Sequence, residues 1–183
     1  MSSAVPVSAV LFTVFVVLVG VERLVELVVS SRNAKWALAH GGVESARRQM
    51  PWMVALHLGL LAGAVAEVWL LGRPFIPGLG WPMLLIAIAC QGARYTIVHT
   101  LGRRWNTRVI VVPGMPPVSS GIYRWVRHPN YVVVAIEGIA LPLVHTAWIT
   151  AIAFTVLNAV LLLGFRIPAE DKALRAAAPA EAP

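Results

Sequence analysis

Two segments in the second half of the chain contain the side chains that could do acid–base or ligand-binding chemistry. Residues 99–131 read HTLGRRWNTRVIVVPGMPPVSSGIYRWVRHPNY and place Arg127 and His128 among several aromatic residues. This segment is too long for a simple connection, and its aromatic content argues against disorder. Farther on, Arg166 and Glu170 are four residues apart, which would put them on one face of a helix. A weak ion pair at a helix end is the alternative interpretation of that spacing.

The elements that must position these side chains are strongly apolar. Hydrophobic residues make up 58% of the 183 residues and charged residues 13%, against roughly 25% charge in ordinary globular chains. This composition argues against disorder and, although the formal net charge is +7, against a soluble nucleic-acid-binding protein. The single cysteine, Cys90, excludes an internal disulfide and a cysteine-based metal cluster, and the histidines lack the spacing of a metal site. We therefore predict an all-α integral membrane protein that binds no metal.

Five apolar stretches predict membrane-spanning helices. A helix needs roughly 20 apolar residues to cross the hydrocarbon core of a bilayer, and four stretches reach or approach this length. The fifth is shorter and contains Glu137, but an odd number of spans fits the distribution of charge. The five stretches are residues 4–21, 52–71, 79–98, 131–144 and 147–165.

The positions of lysine and arginine predict the orientation in the membrane. With five spans and an external N-terminus, 14 of the 15 basic residues lie on the cytoplasmic side, and Arg73 is the exception. Cytoplasmic loops of membrane proteins carry such an excess of basic residues. With four spans, the basic loop and the basic C-terminal segment would lie on opposite sides. The sequence therefore predicts an external N-terminus, a cytoplasmic C-terminus and a site at the cytoplasmic face.

Three ordered motifs occupy the C-terminal half of the chain. Residues 101–107 read LGRRWNT, residues 121–131 read GIYRWVRHPNY, and residues 166–174 read RIPAEDKAL. They resemble the L-G-x-x-W-(S/N)-T, G-x-Y-x-x-x-R-H-P-x-Y and R-I-x-x-E-E-x-x-L elements of the isoprenylcysteine carboxyl methyltransferase family of integral membrane methyltransferases. Asp171 stands where the family often has a second glutamate, which keeps the charge but shortens the side chain.

The N-terminal half resembles a bacterial branch of that family, through ERLVEL at 22–27, SRN at 31–33 and GGVE at 41–44. Members of this branch accompany type III polyketide synthases and O-methylate alkylpyrones or alkylresorcinols. The resemblance implies methyl transfer from S-adenosylmethionine to an oxygen of a lipophilic acceptor in the bacterial plasma membrane, with S-adenosylhomocysteine as product. Prenylcysteine carboxyl methylation and phospholipid N-methylation are alternatives within this class. A non-catalytic lipid-binding protein and a transporter subunit are alternatives outside it.

The resemblance also implies roles for individual residues at a site formed by the loop before the fourth helix, the last two helices and the C-terminal tail. Arg166 and Glu170 are the catalytic candidates, and Glu170 or His128 is the candidate proton acceptor. The cofactor-binding candidates are Tyr123, Arg127, His128, Pro129 and Tyr131.

Trp105 and Glu137 are the candidates for contact with the substrate. An ionisable group inside a membrane span indicates a functional site by default, but Glu137 could equally form a structural pair with Asn158 or with an arginine of the loop.

Three regions are expected along the chain. These are a three-helix membrane region at 1–98, a methyltransferase region at 99–175 and a frayed tail at 176–183.

Overall fold

Helices dominate the architecture of the chain, and the computed structural model describes residues 6–116 and 118–177. This confirms the predicted all-α class, although two three-residue strands that we did not predict accompany the helices. In chain order the elements are α1 (Val7–Ala39), β1 (Val43–Ser45), α2 (Met50–Leu70), α3 (Pro77–Leu101), β2 (Val109–Val111), α4 (Pro129–Leu143), α5 (Trp148–Leu161) and α6 (Ile167–Ala177). The frayed tail was predicted from residue 176, but Ala176 and Ala177 belong to α6, and residues 178–183 lie outside the described part.

The helices have the lengths and compositions of a multi-pass membrane protein. Four helical segments of the described chain are long and apolar enough to cross a bilayer, and Pro129–Leu143 is a shorter apolar helix that falls in the predicted short span. Large apolar side chains such as Leu11, Leu85 and Ile152 are exposed on the outward helix faces. Such faces suit a hydrocarbon surrounding. The four long segments are Val7–Ala39, Arg47–Leu70, Pro77–Arg104 and Trp148–Ala177.

Helix α1 is longer than a membrane span requires. Its 33 residues correspond to about 50 Å at 1.5 Å per residue, whereas the hydrocarbon core is about 30 Å thick. The helix ends at Ala39, and Gly41 follows with a φ of 79°, a left-handed conformation that favours glycine. The last turns of α1 can therefore take part in a site at one end of the bundle.

Close packing of α4 against α5 sets the geometry of the C-terminal half. A Cβ atom on Gly138 would lie 2.0 Å from Cε1 of Phe154, so only glycine allows this approach. Pro129 begins α4, where its missing N–H costs nothing because the first turn of a helix does not use that donor. The antiparallel pair brings the start of α4 and the end of α5 to the same end of the bundle, which we call the site end.

At the opposite end, Glu67 caps α5. Its carboxylate accepts hydrogen bonds from the backbone N–H groups of Ile149 at 3.1 Å and Thr150 at 2.7 Å, and it forms a 2.8 Å ion pair with Arg73. These donors belong to the first turn of a helix, where they lack partners within the helix. Glu67 therefore has a structural role in the turn that orders the α4–α5 pair.

A π-helical turn at Leu162–Arg166 joins α5 to α6. Pro168 has no N–H to donate to the carbonyl four residues earlier, so a regular α-helix cannot continue through this position. The helix responds to Pro168 by widening into this π-helical turn. Such turns are often found at functional sites. Arg166 is the last residue of this turn and is buried.

The two strands form a small antiparallel sheet at the site end. Val43 pairs with Val111, Glu44 with Ile110 and Ser45 with Val109. This pairing connects the link between α1 and α2 to the long polar segment before α4. The segment is therefore anchored from both sides of the bundle.

Candidate active site

A cavity of about 870 Å³ extends into the bundle from the site end. Its wall includes residues of α1 from Val17 to Ala37, which corresponds to about 30 Å along the helix axis. Of the nine candidate residues, Glu137 is the one that does not line the cavity. The eight that do are Trp105, Tyr123, Arg127, His128, Pro129, Tyr131, Arg166 and Glu170.

Tyr131 connects the two catalytic candidates. Arg166 Nε donates a 3.1 Å hydrogen bond to the Tyr131 hydroxyl, which in turn donates to Glu170 Oε2. The four-residue spacing does place Arg166 and Glu170 close together. Among the described residues, however, no direct ion pair joins them, so the alternative interpretation of a simple ion pair is wrong. The result is a line of three polar groups along the cavity wall.

Arg166 is held from a second side. Its side chain is 5% exposed, and Nη2 donates a 2.6 Å hydrogen bond to the carbonyl oxygen of Thr107. Because the guanidinium is fixed by bonds to α4 and to the polar segment, it presents its positive charge to the cavity in one orientation. A buried guanidinium of this kind can stabilise negative charge that develops on a bound group.

His128 lies between two carboxylates. Nε2 is 3.2 Å from Asp171 Oδ1, and Nδ1 is 3.6 Å from Glu170 Oε1. The hydrogen-bonding interaction with Glu170, together with the charges of Glu170 and Asp171, raises the pKa of His128 against the opposing effect of burial. The imidazole ring also stacks on Tyr131, with ring centroids 5.4 Å apart. His128 is therefore a cation over more of the physiological pH range than a free histidine.

Arg127 is an exposed cation at the site. Its side chain is 64% exposed, and Nη2 is 3.5 Å from Asp171 Oδ1. Asp171, the residue that departs from the family pattern, thus accepts contacts from both Arg127 and His128. The shorter side chain still reaches both partners.

Tyr123 remains a neutral phenol. Burial, followed by the negative charge of Glu170, raises its pKa to about 12. It can donate a hydrogen bond or pack against a ligand, but it cannot act as an anionic base near neutral pH. Glu170 lines the same cavity, and its role as a proton acceptor stays a prediction.

Two residues of α1 that we did not single out, Ser30 and Asn33, hold the polar segment in place. Ser30 Oγ donates a 2.9 Å hydrogen bond to Asn106 and accepts a 2.9 Å bond from the backbone N–H of Thr107. Asn33 Nδ2 donates to the carbonyl oxygen of Trp105 at 2.8 Å. The SRN motif at 31–33 was a signal for Asn33, whereas nothing in the local pattern distinguishes Ser30 from Ser31.

Glu137 has partners other than those expected. It forms ion pairs with Arg23 of α1 at 2.5 Å and Arg94 of α3 at 2.8 Å, and Gln91 donates to it at 2.7 Å. Pairing with Asn158 or with an arginine of the loop is therefore wrong. Helix packing brings these residues together, since Arg23 and Glu137 are 114 positions apart in the chain.

The C-terminal half of the chain matches a known protein family. The sequence pattern of the Isoprenylcysteine carboxyl methyltransferase (ICMT) family matches residues 83–176, about half of the chain, and includes the line from Arg166 through Tyr131 to Glu170. The chain belongs to this family. As an ICMT-family protein it is a membrane methyltransferase by class, and the match leaves out α1 and α2.

Two relatives extend the similarity toward the N-terminus without naming an activity. An uncharacterized Bacillus subtilis (strain 168) protein, YpbQ, is 34% identical over 166 residues, which cover 90% of this chain and 97% of the relative. An uncharacterized protein of Haemophilus influenzae (strain ATCC 51907 / DSM 11121 / KW20 / Rd) is 26% identical over 155 residues, covering 83% and 88%. No solved structure matches the ICMT-family chain.

Proposed function

We propose that the protein transfers a methyl group from S-adenosylmethionine to an oxygen of a lipophilic acceptor, with an alkylpyrone or alkylresorcinol as the favoured class. The observation that carries this proposal is the line Arg166–Tyr131–Glu170 on the wall of a cavity that continues into the apolar bundle. The line provides a base and a fixed cation, and the cavity provides a path for an alkyl chain.

The residues around His128 fit the polar groups of the cofactor. S-adenosylmethionine has a carboxylate that needs a cation, an ammonium that needs acceptors and an adenine that needs an aromatic or apolar slot. Arg127 and the raised-pKa His128 offer the cations, Asp171 offers an acceptor, and Tyr123 offers a neutral ring. The indole Nε1 of Trp105 is buried without a hydrogen-bond partner in the described chain, and Trp105 lines the same cavity.

When bound, the cofactor supplies a methyl group on a positively charged sulfur. The contribution of the chain is then to align the acceptor oxygen and to exclude water, which favours a displacement that neutralises charge. The apolar wall formed by Val17, Leu58 and Leu61 suits an alkyl chain. This supports a lipid rather than a water-soluble acceptor.

Glu170 is the proposed base for an acceptor that is not already ionised. A resorcinol hydroxyl has a pKa of about 10, like that of tyrosine, and it must lose its proton for methyl transfer. Glu170 accepts that proton, and Arg166 stabilises the oxyanion that forms. A 4-hydroxy-2-pyrone is more acidic and depends less on the base.

A test compares wild type, Glu170→Gln and the control Glu44→Gln, whose residue lies in β1 and does not itself line the cavity. Binding of labelled S-adenosylmethionine to detergent-solubilised protein and methyl transfer to an alkylresorcinol are both measured. We expect Glu170→Gln to bind the cofactor within a few-fold of wild type and to lose activity by roughly 10²-fold or more, the usual range for general base catalysis. Glu44→Gln should match wild type in both measurements.

The same assay separates the competing acceptors. Farnesylcysteine and phosphatidylethanolamine are offered in parallel with alkylresorcinol and alkylpyrone. Absence of cofactor binding by wild type would contradict the proposal as a whole, and preferential methylation of either competitor would contradict the acceptor class. Wild-type turnover by Glu170→Gln on the resorcinol would contradict the role of Glu170.

A further inference from the structure

A second polar cluster lies deeper in the cavity than the line Arg166–Tyr131–Glu170. Arg23 and Glu26 of α1 and Arg94 of α3 line the cavity, and Glu137 stands behind them. Arg23 Nη1 is 2.9 Å from Glu26 Oε2, and Arg94 Nη1 is 3.7 Å from the same oxygen. The two arginines and two glutamates balance in charge. We call these four residues the inner cluster.

Burying the four charged side chains of the inner cluster has a high desolvation cost if their role is only structural. Charges removed from water inside a membrane protein carry a desolvation cost that apolar packing would avoid, and such residues commonly mark substrate sites. Arg94 is 3% exposed, and its Nε is buried without a hydrogen-bond partner in the described chain. The cluster therefore retains a donor that the protein itself does not use.

His57 of α2 adds an acceptor to the same cavity. Its Nδ1 lies 2.8 Å from the backbone carbonyl oxygen of Met53, and a carbonyl can only accept, so Nδ1 carries the hydrogen. In the neutral ring Nε2 is then an acceptor. His57 lines the same cavity as Arg23 and Arg94. Donors on α1 and α3 and an acceptor on α2 thus belong to one cavity.

The inner cluster is also coupled to the reacting end of the cavity. Arg94 donates through Nη1 to Asn130 Oδ1 at 3.3 Å and through Nη2 to Glu137 Oε2 at 2.8 Å. Asn130 is the neighbour of Tyr131 in the first turn of α4. Arg94 is therefore bonded to the residue that precedes Tyr131, the middle group of the line Arg166–Tyr131–Glu170.

We propose that the inner cluster and His57 bind a second oxygen on the ring of the acceptor lipid, so that the site selects rings with two oxygens over rings with one. This inference rests on the proposed function and specifies its acceptor. The unpartnered Nε of Arg94 donates to a carbonyl or hydroxyl oxygen, and His57 Nε2 accepts from a hydroxyl. The alkyl chain extends past Gly20 and Leu61, where α1 and α2 approach closely.

The test compares two lipids with the same alkyl chain, a 5-alkylresorcinol and a 3-alkylphenol. Their binding to wild type, His57→Leu and Arg94→Gln in detergent is measured by calorimetry, independently of turnover. We expect wild type to bind the resorcinol roughly 10-fold tighter, as one or two buried hydrogen bonds would provide. In both variants this preference should fall below about 3-fold, while binding of the alkylphenol stays near wild type.

His40→Leu is the matched control. His40 makes the same 2.8 Å contact from Nδ1 to the carbonyl four residues earlier, that of Trp36, but does not line the cavity. His40→Leu should keep the wild-type preference for the resorcinol.

Equal binding of the two lipids by wild type would overturn the inference, as would an equal loss for both lipids in His57→Leu. If Arg94→Gln does not fold, His57→Leu alone decides. If wild type prefers the resorcinol over the alkylphenol but transfers no methyl group, the proposed function is contradicted while the proposed binding site is supported.

Discussion

At the scale of single residues, the position of His128 between two carboxylates makes the site sensitive to pH. Because the folded-state pKa of His128 is raised, protonation favours the folded state. This contribution to stability is fully present below the unfolded pKa of about 6.5 and is lost as the pH rises through the higher folded pKa.

We therefore expect His128→Asn to lower the apparent melting temperature more at pH 6 than at pH 8.5. The measurement is thermal unfolding of wild type and variant in detergent across this range. His99→Asn, at an exposed position near the end of α3, is the control and should follow wild type throughout. A difference between wild type and His128→Asn that stays constant with pH would contradict the assigned interaction with Glu170 and Asp171.

Tyr131 explains why the four-residue spacing of Arg166 and Glu170 does not lead to a direct ion pair between them. The positions of Arg166 and Glu170 alone suggest a direct pair, but the phenol of Tyr131 lies between them. Both charges then remain directed toward the cavity. A direct pair would satisfy each charge with the other and leave less of either for a ligand.

At the scale of elements, α1 acts as the support for the polar segment that follows α3. Ser30 and Asn33 satisfy backbone groups of residues 102–107, and Thr107 in turn holds Arg166. The site therefore depends on a helix that lies outside the region matched by the ICMT family pattern. Buried backbone groups without partners cost about 1–3 kcal/mol, so this support is essential to the shape of the segment.

Ser30→Ala is expected to loosen the polar segment without disturbing α1. Alanine favours helix, but the N–H of Thr107 loses its acceptor, at about 1–3 kcal/mol. Limited proteolysis should show faster cleavage within residues 102–116, and methyl transfer should fall.

Ser31→Ala is the matched control for that experiment. Ser31 Oγ donates to the carbonyl of Leu27 within its own helix, and the residue is exposed. It should behave like wild type. If both alanine variants show the same protection from proteolysis, Ser30 does not hold the segment.

At the scale of the whole molecule, the basic residues and the apolar helices together predict how the protein lies in the membrane. The site end contains the ends of α1, α3 and α5 and the basic segment before α4. Positive-inside sorting predicts that this end lies in the cytoplasm.

Single-cysteine labelling in intact cells tests this orientation. The native Cys90 is buried, so it should give little background. We expect a membrane-impermeant maleimide to label Gly78→Cys, at an exposed position where an added Cβ meets no atom within 4 Å. Lys172→Cys in α6 should be labelled only after lysis. The reverse pattern would contradict the cytoplasmic site.

Several local features could be predicted because they depend on neighbouring residues in the chain. Apolar length determines which stretches can be membrane helices, Pro129 determines where α4 begins, and Gly41 allows α1 to end. The polar residues of 121–131 and 166–171 were likewise identifiable from residue type and order. Eight of the nine candidates line one cavity, although their individual roles stay predictions.

Tertiary structure alone decided which of these residues meet. The pairing of β1 with β2, the contact of Ser30 with Thr107, and the bonds of Glu137 to Arg23 and Arg94 all join residues far apart in sequence. Such partners depend on how helices pack and rotate against one another. Spacing along the chain specifies the face of a helix but not the neighbour that the face will contact. For this protein, the sequence by itself determined the kind of chemistry available, and the packing of α1, α3 and α4 decided where the buried charges lie.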